Sequence, residues 1–262
     1  MADPAASGQQ MLLETLPPPS RAVGLTLCGL AVALAASLSA WTRAHRSARI
    51  VRSGQPPFLH LLCGGCALMA CAIVPLGIDR DVAPRRGCDA ACGAVPWLLS
   101  GGFSLAVLAL YTKTRRINTI FRNSARFRKV QVGVWESARP MMAMLGGNVL
   151  VLVLWTALSP LRWHEVVAAA DRATGRPTAL YGTCSSEHQV AYIVTLAVIN
   201  VGAVALLVWE AHQARHTKGI SAEYAESDYI FMALGCMALC YVINVPVLFT
   251  ARESLATCKW YI

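Results

Sequence analysis

The sequence predicts an all-α polytopic membrane protein: a transmembrane helix bundle in which six helices are visible and a seventh is only begun. Three observations predict it. Apolar stretches of about 20 residues, the length a helix needs to cross the hydrocarbon core, recur along the chain. The loops between them alternate between strongly basic and neutral. The 262 residues are 56% hydrophobic, and the mean hydropathy is +0.49.

The elements follow in order. The first twenty residues hold no Lys or Arg and contain Asp3, Glu14 and Pro17-Pro18-Pro19. A cleaved signal peptide needs a positive start and a short apolar core, so residues 1–21 are expected to be a disordered outside tail. A transmembrane domain then fills 22–262. Its spans are expected near Val23–Trp41, Phe58–Ile78, Val95–Tyr111, Met141–Leu158, Val190–Trp209 and Tyr229–Thr250, with a seventh starting at Cys258–Ile262. The longest outside loop, Ser159–Gln189, is too small to bury a core of its own.

Charge sets the orientation. The segments after the first, third and fifth spans carry Arg43, Arg46, Arg49 and Arg52, then Lys113, Arg115, Arg116, Arg122, Arg126, Arg128, Lys129 and Arg139, then Arg215 and Lys218. These fourteen basic residues face five acids: Glu136, Glu210, Glu223, Glu226 and Asp228. The remaining segments are neutral, so the whole net charge of +9 lies on one side. By the positive-inside rule that side is cytoplasmic and the N-terminus is outside. Topology explains the basic clusters better than nucleic-acid binding does, and no nucleic-acid partner is expected.

The ten cysteines divide by depth. Cys28, Cys63, Cys66, Cys71, Cys236 and Cys240 lie inside spans, where a thiol packs as a small apolar group. Cys63-Gly64-Gly65-Cys66 has redox or metal spacing, but lies in lipid without a second pair, so packing is the better reading. Cys88, Cys92, Cys184 and Cys258 lie at the outer face, where oxidation is permitted. Cys92 and Cys184 could tie the second outside loop across the mouth of the bundle. Cys88 is a rival partner, and Cys88–Cys258 is a further pairing open to the sequence.

Helix three reads Cys92-Gly93-Ala94-Val95-Pro96-Trp97-Leu98-Leu99, then Gly101-Gly102-Phe103, and ends Lys113-Thr114-Arg115-Arg116-Ile117 with Ile120-Phe121. Helix five ends Trp209-Glu210-Ala211-His212-Gln213-Ala214-Arg215, and Ile220 through Ile230 lead into helix six. In order and spacing, from about Val23 to Ile262, these segments resemble class C G-protein-coupled receptors of the metabotropic GABA (GABA-B) type. The resemblance implies a Cys92–Cys184 bridge. It also implies a heterotrimeric G protein as partner, a homo- or heterodimer with a related receptor, and a multi-pass place in the plasma membrane. The chain departs from the family at Val95, where the family has Arg, and at Asp228, where it has Lys. No Venus-flytrap domain is present, and only twelve residues follow Thr250, so a fragment or an incompletely read gene is expected.

At the inner face, Lys113 and Glu226 are opposite charges at neighbouring helix ends. Their pairing would hold the bundle closed; otherwise Lys113 snorkels to headgroups and Glu226 is solvated. The resemblance implies the first, a lock released on activation. Arg115, Arg116, Ile117, Ile120, Phe121 and Arg122 form a basic face with apolar residues at helical spacing. Anionic lipid is one partner for it, and the resemblance implies a docking G protein as another.

Other readings carry less. Trp163-His164-Glu165 and Glu187-His188 lack metal-site spacing, and no cofactor is expected. Gly101-Gly102 and Gly146-Gly147 allow close helix contact. Pro75, Pro96 and Pro246 are expected to bend their helices, and Asn148, Asn200 and Asn244 to bond between helices. No span has an Asp, Glu, Lys or Arg near its centre, which argues against an ion-coupled carrier. A light receptor of the retinal-binding kind would need a Schiff-base lysine in the seventh helix, of which only the start is expected here. No clustered acids or histidines face a common cavity, so an enzyme is not expected. The alternative to a receptor is a non-signalling polytopic protein, either a dimer partner or transporter-like.

Overall fold

The computed structural model describes residues 12–14, 18–48, 51, 55–124, 133–170 and 177–217. Helices α1 (Pro18–Ala44), α2 (Pro56–Cys71), α3 (Ile73–Leu76), α4 (Arg85–Ser124), α5 (Val134–Leu158) and α6 (Gln189–Thr217) join strands β1 (Leu12–Glu14), β2 (Arg162–Ala170) and β3 (Pro177–Ser185). Among the described residues, five helical segments are long and apolar enough to cross a membrane. The expected span at 229–250 and the start of another at 258–262 lie outside the described residues.

Each helix starts where the chain permits it. Pro18 and Pro19 open α1, and Pro56 and Pro57 open α2. Proline suits a first turn because its missing N–H would have no helical partner there. Gly133 precedes α5, whose first turn carries Glu136 beside the partial positive charge of a helix N-terminus. Pro75 acts as expected. It cannot donate to the carbonyl of Cys71 and its ring crowds that group, so α2 stops at Cys71 and one turn, α3, completes the span. Pro96 lies inside α4, which continues through it; Pro246 is outside the described residues.

The helices alternate in direction. Gly24 faces Ile73 while Ser39 Oγ lies 2.7 Å from His60 Nδ1, so α1 and α2 are antiparallel. Trp97 packs near Leu152 and Trp155, whereas Tyr111 packs near Ala138 and Met141, so α4 and α5 are antiparallel too. Helix α6 runs parallel to α4. The bundle therefore has one end carrying the β-strands and one end carrying the excess of basic residues.

Helix α4 is the central element. Half of its apolar window is buried, against 11% for α1 and α2 and 22% for α5 and α6. Its forty residues measure about 60 Å at about 1.5 Å per residue, roughly twice the hydrocarbon thickness. Phe103, Val107, Leu108, Leu110 and Tyr111 of α4 form a core with Ala138 and Met141 of α5 and Ala203 and Leu207 of α6. The outward faces stay apolar: Leu25, Leu30 and Leu34 of α1 and Val194, Val198 and Val201 of α6 are exposed, as lipid contact requires.

Among the described helical glycines, the tightest packing across helices joins α2 to α4. A Cβ added at Gly65 would meet the Gly102 carbonyl oxygen at 2.7 Å, and one added at Gly102 would meet the Gly65 carbonyl oxygen at 2.6 Å. The Cys63–Cys66 segment thus includes a packing glycine. Of the two glycine pairs singled out in the sequence, Gly102 makes this close contact and Gly147 touches Ile199, while Gly101 and Gly146 face open space.

Three short strands accompany the helical bundle. Strands β2 and β3 pair antiparallel, from Arg162 opposite Ser185 to Ala170 opposite Pro177. Strand β1 adds in parallel, with Leu12 opposite Ala179. Leu12–Glu14 belong to the stretch expected to be a disordered tail. A loop of this length has many backbone N–H and C=O groups to satisfy, and a hairpin pairs them with one another.

Candidate functional site

Three polar features stand out against the apolar bundle, at its strand-bearing end, its middle and its basic end.

At the strand-bearing end, a disulfide joins Cys92 of α4 to Cys184 of β3, with Cα atoms 5.6 Å apart. It fastens the hairpin to the central helix. Two further ties support it. The Trp163 backbone N–H donates to Asp89 Oδ1 at 2.7 Å, and Arg80 pairs with Glu165 at 3.5 Å. The Trp163 ring lies where any side chain at Gly182 would stand. Cys88 is a free, buried thiol, and Cys258 lies outside the described residues. His164 is exposed on β2, in keeping with a solvated loop residue. Nearby, Arg21 of α1 donates to Asp79 Oδ2 at 2.7 Å, with the Asp79 side chain 6% exposed. Sequence reasoning missed this pair because 58 residues separate its partners.

In the middle, four neutral side chains close a hydrogen-bonded node across three helices. Asn148 of α5 donates from Nδ2 to Ser104 Oγ at 2.7 Å and to Asn200 Oδ1 at 2.9 Å. Ser100 Oγ donates to Asn148 Oδ1 at 3.2 Å, Ser104 Oγ to Asn200 Oδ1 at 3.4 Å, and Asn200 Nδ2 to Ser100 Oγ at 3.4 Å. Ser100 and Ser104 share a face of α4, being four residues apart. Asn148 and Asn200 take the interhelical role the sequence assigned them. The serines had no distinguishing signal. None of these groups carries a charge near neutral pH, so the node ties the helices together without an ion pair. Asn148→Leu keeps the bulk and leaves Asn200 and Ser104 short of partners. It is expected to cost on the order of 2 kcal/mol, read as a fall in the Tm of purified protein. A Tm equal to that of the unaltered protein would mean that the node adds no stability.

At the basic end, α4 carries Lys113, Arg115, Arg116, Ile117, Ile120, Phe121 and Arg122 along its last turns. Lys113 is half-buried, and Glu226, its expected partner, lies outside the described residues. Arg115 and Asn118 instead turn toward Glu210 of α6. Asn118 Nδ2 donates to Glu210 Oε2 at 3.1 Å, and Arg115 Nε lies 3.9 Å from Glu210 Oε1. Arg115 Nη1 also donates to the Tyr111 hydroxyl at 2.9 Å. Tyr111, Arg115 and Asn118 share a face because they stand four and three residues apart. The sequence reading counted Glu210 only as a loop charge, because its partner is 92 residues away. Around this end Trp41, Trp135 and Trp209 are exposed on α1, α5 and α6. Aromatic side chains of this kind settle at the headgroup level.

The geometry of these three features is one of ties between elements. Among the described residues, no group of three or more His, Cys, Asp or Glu side chains could hold a metal. What it offers is one continuous helix linking a fastened hairpin to a basic face through a polar node.

The sequence is similar to those of known proteins. The family model described as "7 transmembrane sweet-taste receptor of 3 GCPR" matches residues 15–260. Gamma-aminobutyric acid type B receptor subunit 2 of Homo sapiens is 22% identical over 255 residues, 94% of this chain and 26% of that protein. Subunit 1 of Rattus norvegicus is 29% identical over 229 residues, 84% of this chain and 23% of the relative. Metabotropic glutamate receptor-like protein B of Dictyostelium discoideum is 25% identical over 209 residues, 79% and 26% respectively. The chain thus spans about a quarter of the length of these relatives. With a family match over nearly all its residues and a bundle of membrane-length helices, the chain belongs to the class C (family 3) G-protein-coupled receptors, as a transmembrane domain of that family.

Proposed function

We propose that this chain is the signal-transmitting membrane domain of a GABA-B-like receptor, which rearranges its helices to act on a heterotrimeric G protein. The observation that carries the reading is the family match over residues 15–260. The N-terminus and hairpin are outside, and the basic end faces the cytoplasm at the plasma membrane, as the one-sided charge supports. The domain works as a homo- or heterodimer with a related receptor and performs no catalysis itself.

In this reading Lys113 and Glu226 form the resting inner lock. Arg115, Arg116, Ile117, Ile120, Phe121 and Arg122 present the G-protein surface of the open state, with the arginines steering and the apolar side chains inserting. The same arginines attract anionic lipid, each by about 1 kcal/mol near a charged surface. A ligand acts only through its different affinity for the closed and open bundles.

Nucleotide exchange on purified Gα proteins tests the reading. Lys113→Glu places two like charges at the lock and is expected to raise basal exchange several-fold, while adding Glu226→Lys restores the resting rate. A double variant as active as the single one would remove the lock. If neither the unaltered chain nor Lys113→Glu stimulates any Gα class, the alternative stands: a non-signalling polytopic protein serving as dimer partner or transporter-like element.

A further inference from the structure

We propose that Glu210 forms a second resting clasp, separate from Lys113–Glu226, which holds the basic end of α6 against α4 and sequesters Arg115 from an incoming partner. The proposal rests on the receptor reading above and adds a regulated contact to it.

Among the described residues, the α4–α6 seam holds polar contacts at two levels, the node at Asn200 and the cluster at Glu210. On α6, Asn200, Ala203, Leu207 and Ala211 are buried at three- and four-residue spacing, which marks the face turned to the bundle. Asn200 sits in the closed polar node. Ala203 and Leu207 pack against Val107, Leu108 and Tyr111. Beside the last turn of that face stands Glu210, a carboxylate where an apolar residue would pack without any desolvation cost.

Its surroundings explain why a carboxylate is held there. Both oxygens are engaged from α4, by Asn118 Nδ2 at 3.1 Å and Arg115 Nε at 3.9 Å. Asn118 is 3% exposed and its Oδ1 has no hydrogen-bond partner. Glu210 and Arg115 keep side-chain exposures of 21% and 34%. The two charges are therefore half-solvated when paired, and they become fully solvated if α6 swings away. Such a pair loses little on separating, unlike the apolar layer above it or the buried node. A contact of this kind has two accessible states, which is what a switch needs.

Arg115 gives the clasp its regulatory sense. The guanidinium donates to the Tyr111 hydroxyl and faces Glu210, so in this state it points along the seam. Opening frees it to join Arg116, which follows it at the basic end of α4. The polar node, two to three turns away, remains closed and becomes the point about which α6 moves.

The test measures distance rather than signalling. Spin labels introduced through a non-natural amino acid at Arg43 of α1 and Val208 of α6, both exposed, avoid the native cysteines. The full chain is studied in nanodiscs of phosphatidylcholine with phosphatidylserine. Unaltered protein should give one dominant distance. Glu210→Ala and Arg115→Ala should each raise a longer-distance population by about two- to fivefold. Glu210→Gln still accepts from Asn118 and should raise it less; it serves if the alanine variant does not fold. The exchange Arg115→Glu with Glu210→Arg should restore the single distance. Distance distributions in Glu210→Ala and Arg115→Ala that superimpose on the unaltered protein would overturn the clasp, and so would a charge exchange that stays open. Gα nucleotide exchange on the same samples separates the two ideas. Opening without exchange upholds the clasp and removes the G-protein reading, whereas faster exchange without opening removes the clasp alone.

Discussion

A leucine at position 65 or 102 is expected to remove almost all folded protein from the membrane. A Cβ on Gly65 would stand 2.7 Å from the Gly102 carbonyl oxygen and 2.8 Å from the Ala106 nitrogen. A Cβ on Gly102 would stand 2.6 Å from the Gly65 carbonyl oxygen and 2.8 Å from the Met69 nitrogen. These are backbone atoms of the facing helix, so no rotamer change relieves the contact, and α2 must separate from α4. Overpacking in a well-filled core costs about 1–3 kcal/mol; forcing two backbones apart belongs at or above the top of that range. The loss also spreads, because dispersion between closely approached helices is a main attraction in lipid, where the hydrophobic effect no longer drives them together. Gly64 and Gly101 supply the control. Each neighbours a packing glycine, and each faces open space. Gly64→Leu and Gly101→Leu should leave the protein folded, since leucine is the better helix former. Size-exclusion recovery and Tm of the four variants read the difference. Equal behaviour of Gly65→Leu and Gly64→Leu would refute the contact.

The second large effect is expected from Cys92→Ser. The bridge closes a loop of 92 residues in sequence separation, for which chain entropy alone gives about 4–5 kcal/mol in a freely unfolding protein. Membrane-inserted helices are already restrained when their packing is lost, so roughly 2–4 kcal/mol is the expected fall in stability. The Asp89–Trp163 and Arg80–Glu165 contacts keep the hairpin near α4, and the variant should therefore fold while melting earlier. Cys184→Ser and the double variant should match Cys92→Ser, because one bond is lost in each. Cys88→Ser, at a free thiol, should change Tm little. If the Cys92→Ser Tm equals that of the unaltered protein, the bridge does not stabilise the domain.

Hydropathy made the membrane-crossing parts of the five described spans legible, and missed what extends beyond lipid. Expected at Val95–Tyr111, the third span runs from Arg85 to Ser124. Its polar ends, Arg85 to Ala94 and Thr112 to Ser124, carry no apolar run to find. The break at Cys71 was legible, because Pro75 removes a specific donor. The hairpin was not. Its pairing satisfies backbone groups, and backbone groups leave little mark on side-chain pattern. Asn148 and Asn200 announced themselves as amides in apolar runs, but Ser100 and Ser104 are ordinary in such helices. Glu210 and Asp79 were hidden for another reason. Each takes its meaning from a partner on another helix, and no local spacing encodes that.

One consequence follows from the length of α4 and the place where it touches α2. If the Gly65–Gly102 contact acts as a fulcrum, the helix is a lever with unequal arms. Cys92 is ten residues from Gly102, about 15 Å along the axis, and Asn118 is sixteen residues away, about 24 Å. A sideways displacement of about 1.3 Å at the disulfide then arrives at Asn118 as about 2 Å, by the ratio of the arms. That is enough to part a hydrogen bond of 3.1 Å. On that condition the arms alone supply a mechanical gain of about 1.6, the ratio of sixteen residues to ten. A small push on the hairpin needs no relay of side chains to be felt at the far end, only a rod stiff enough not to bend.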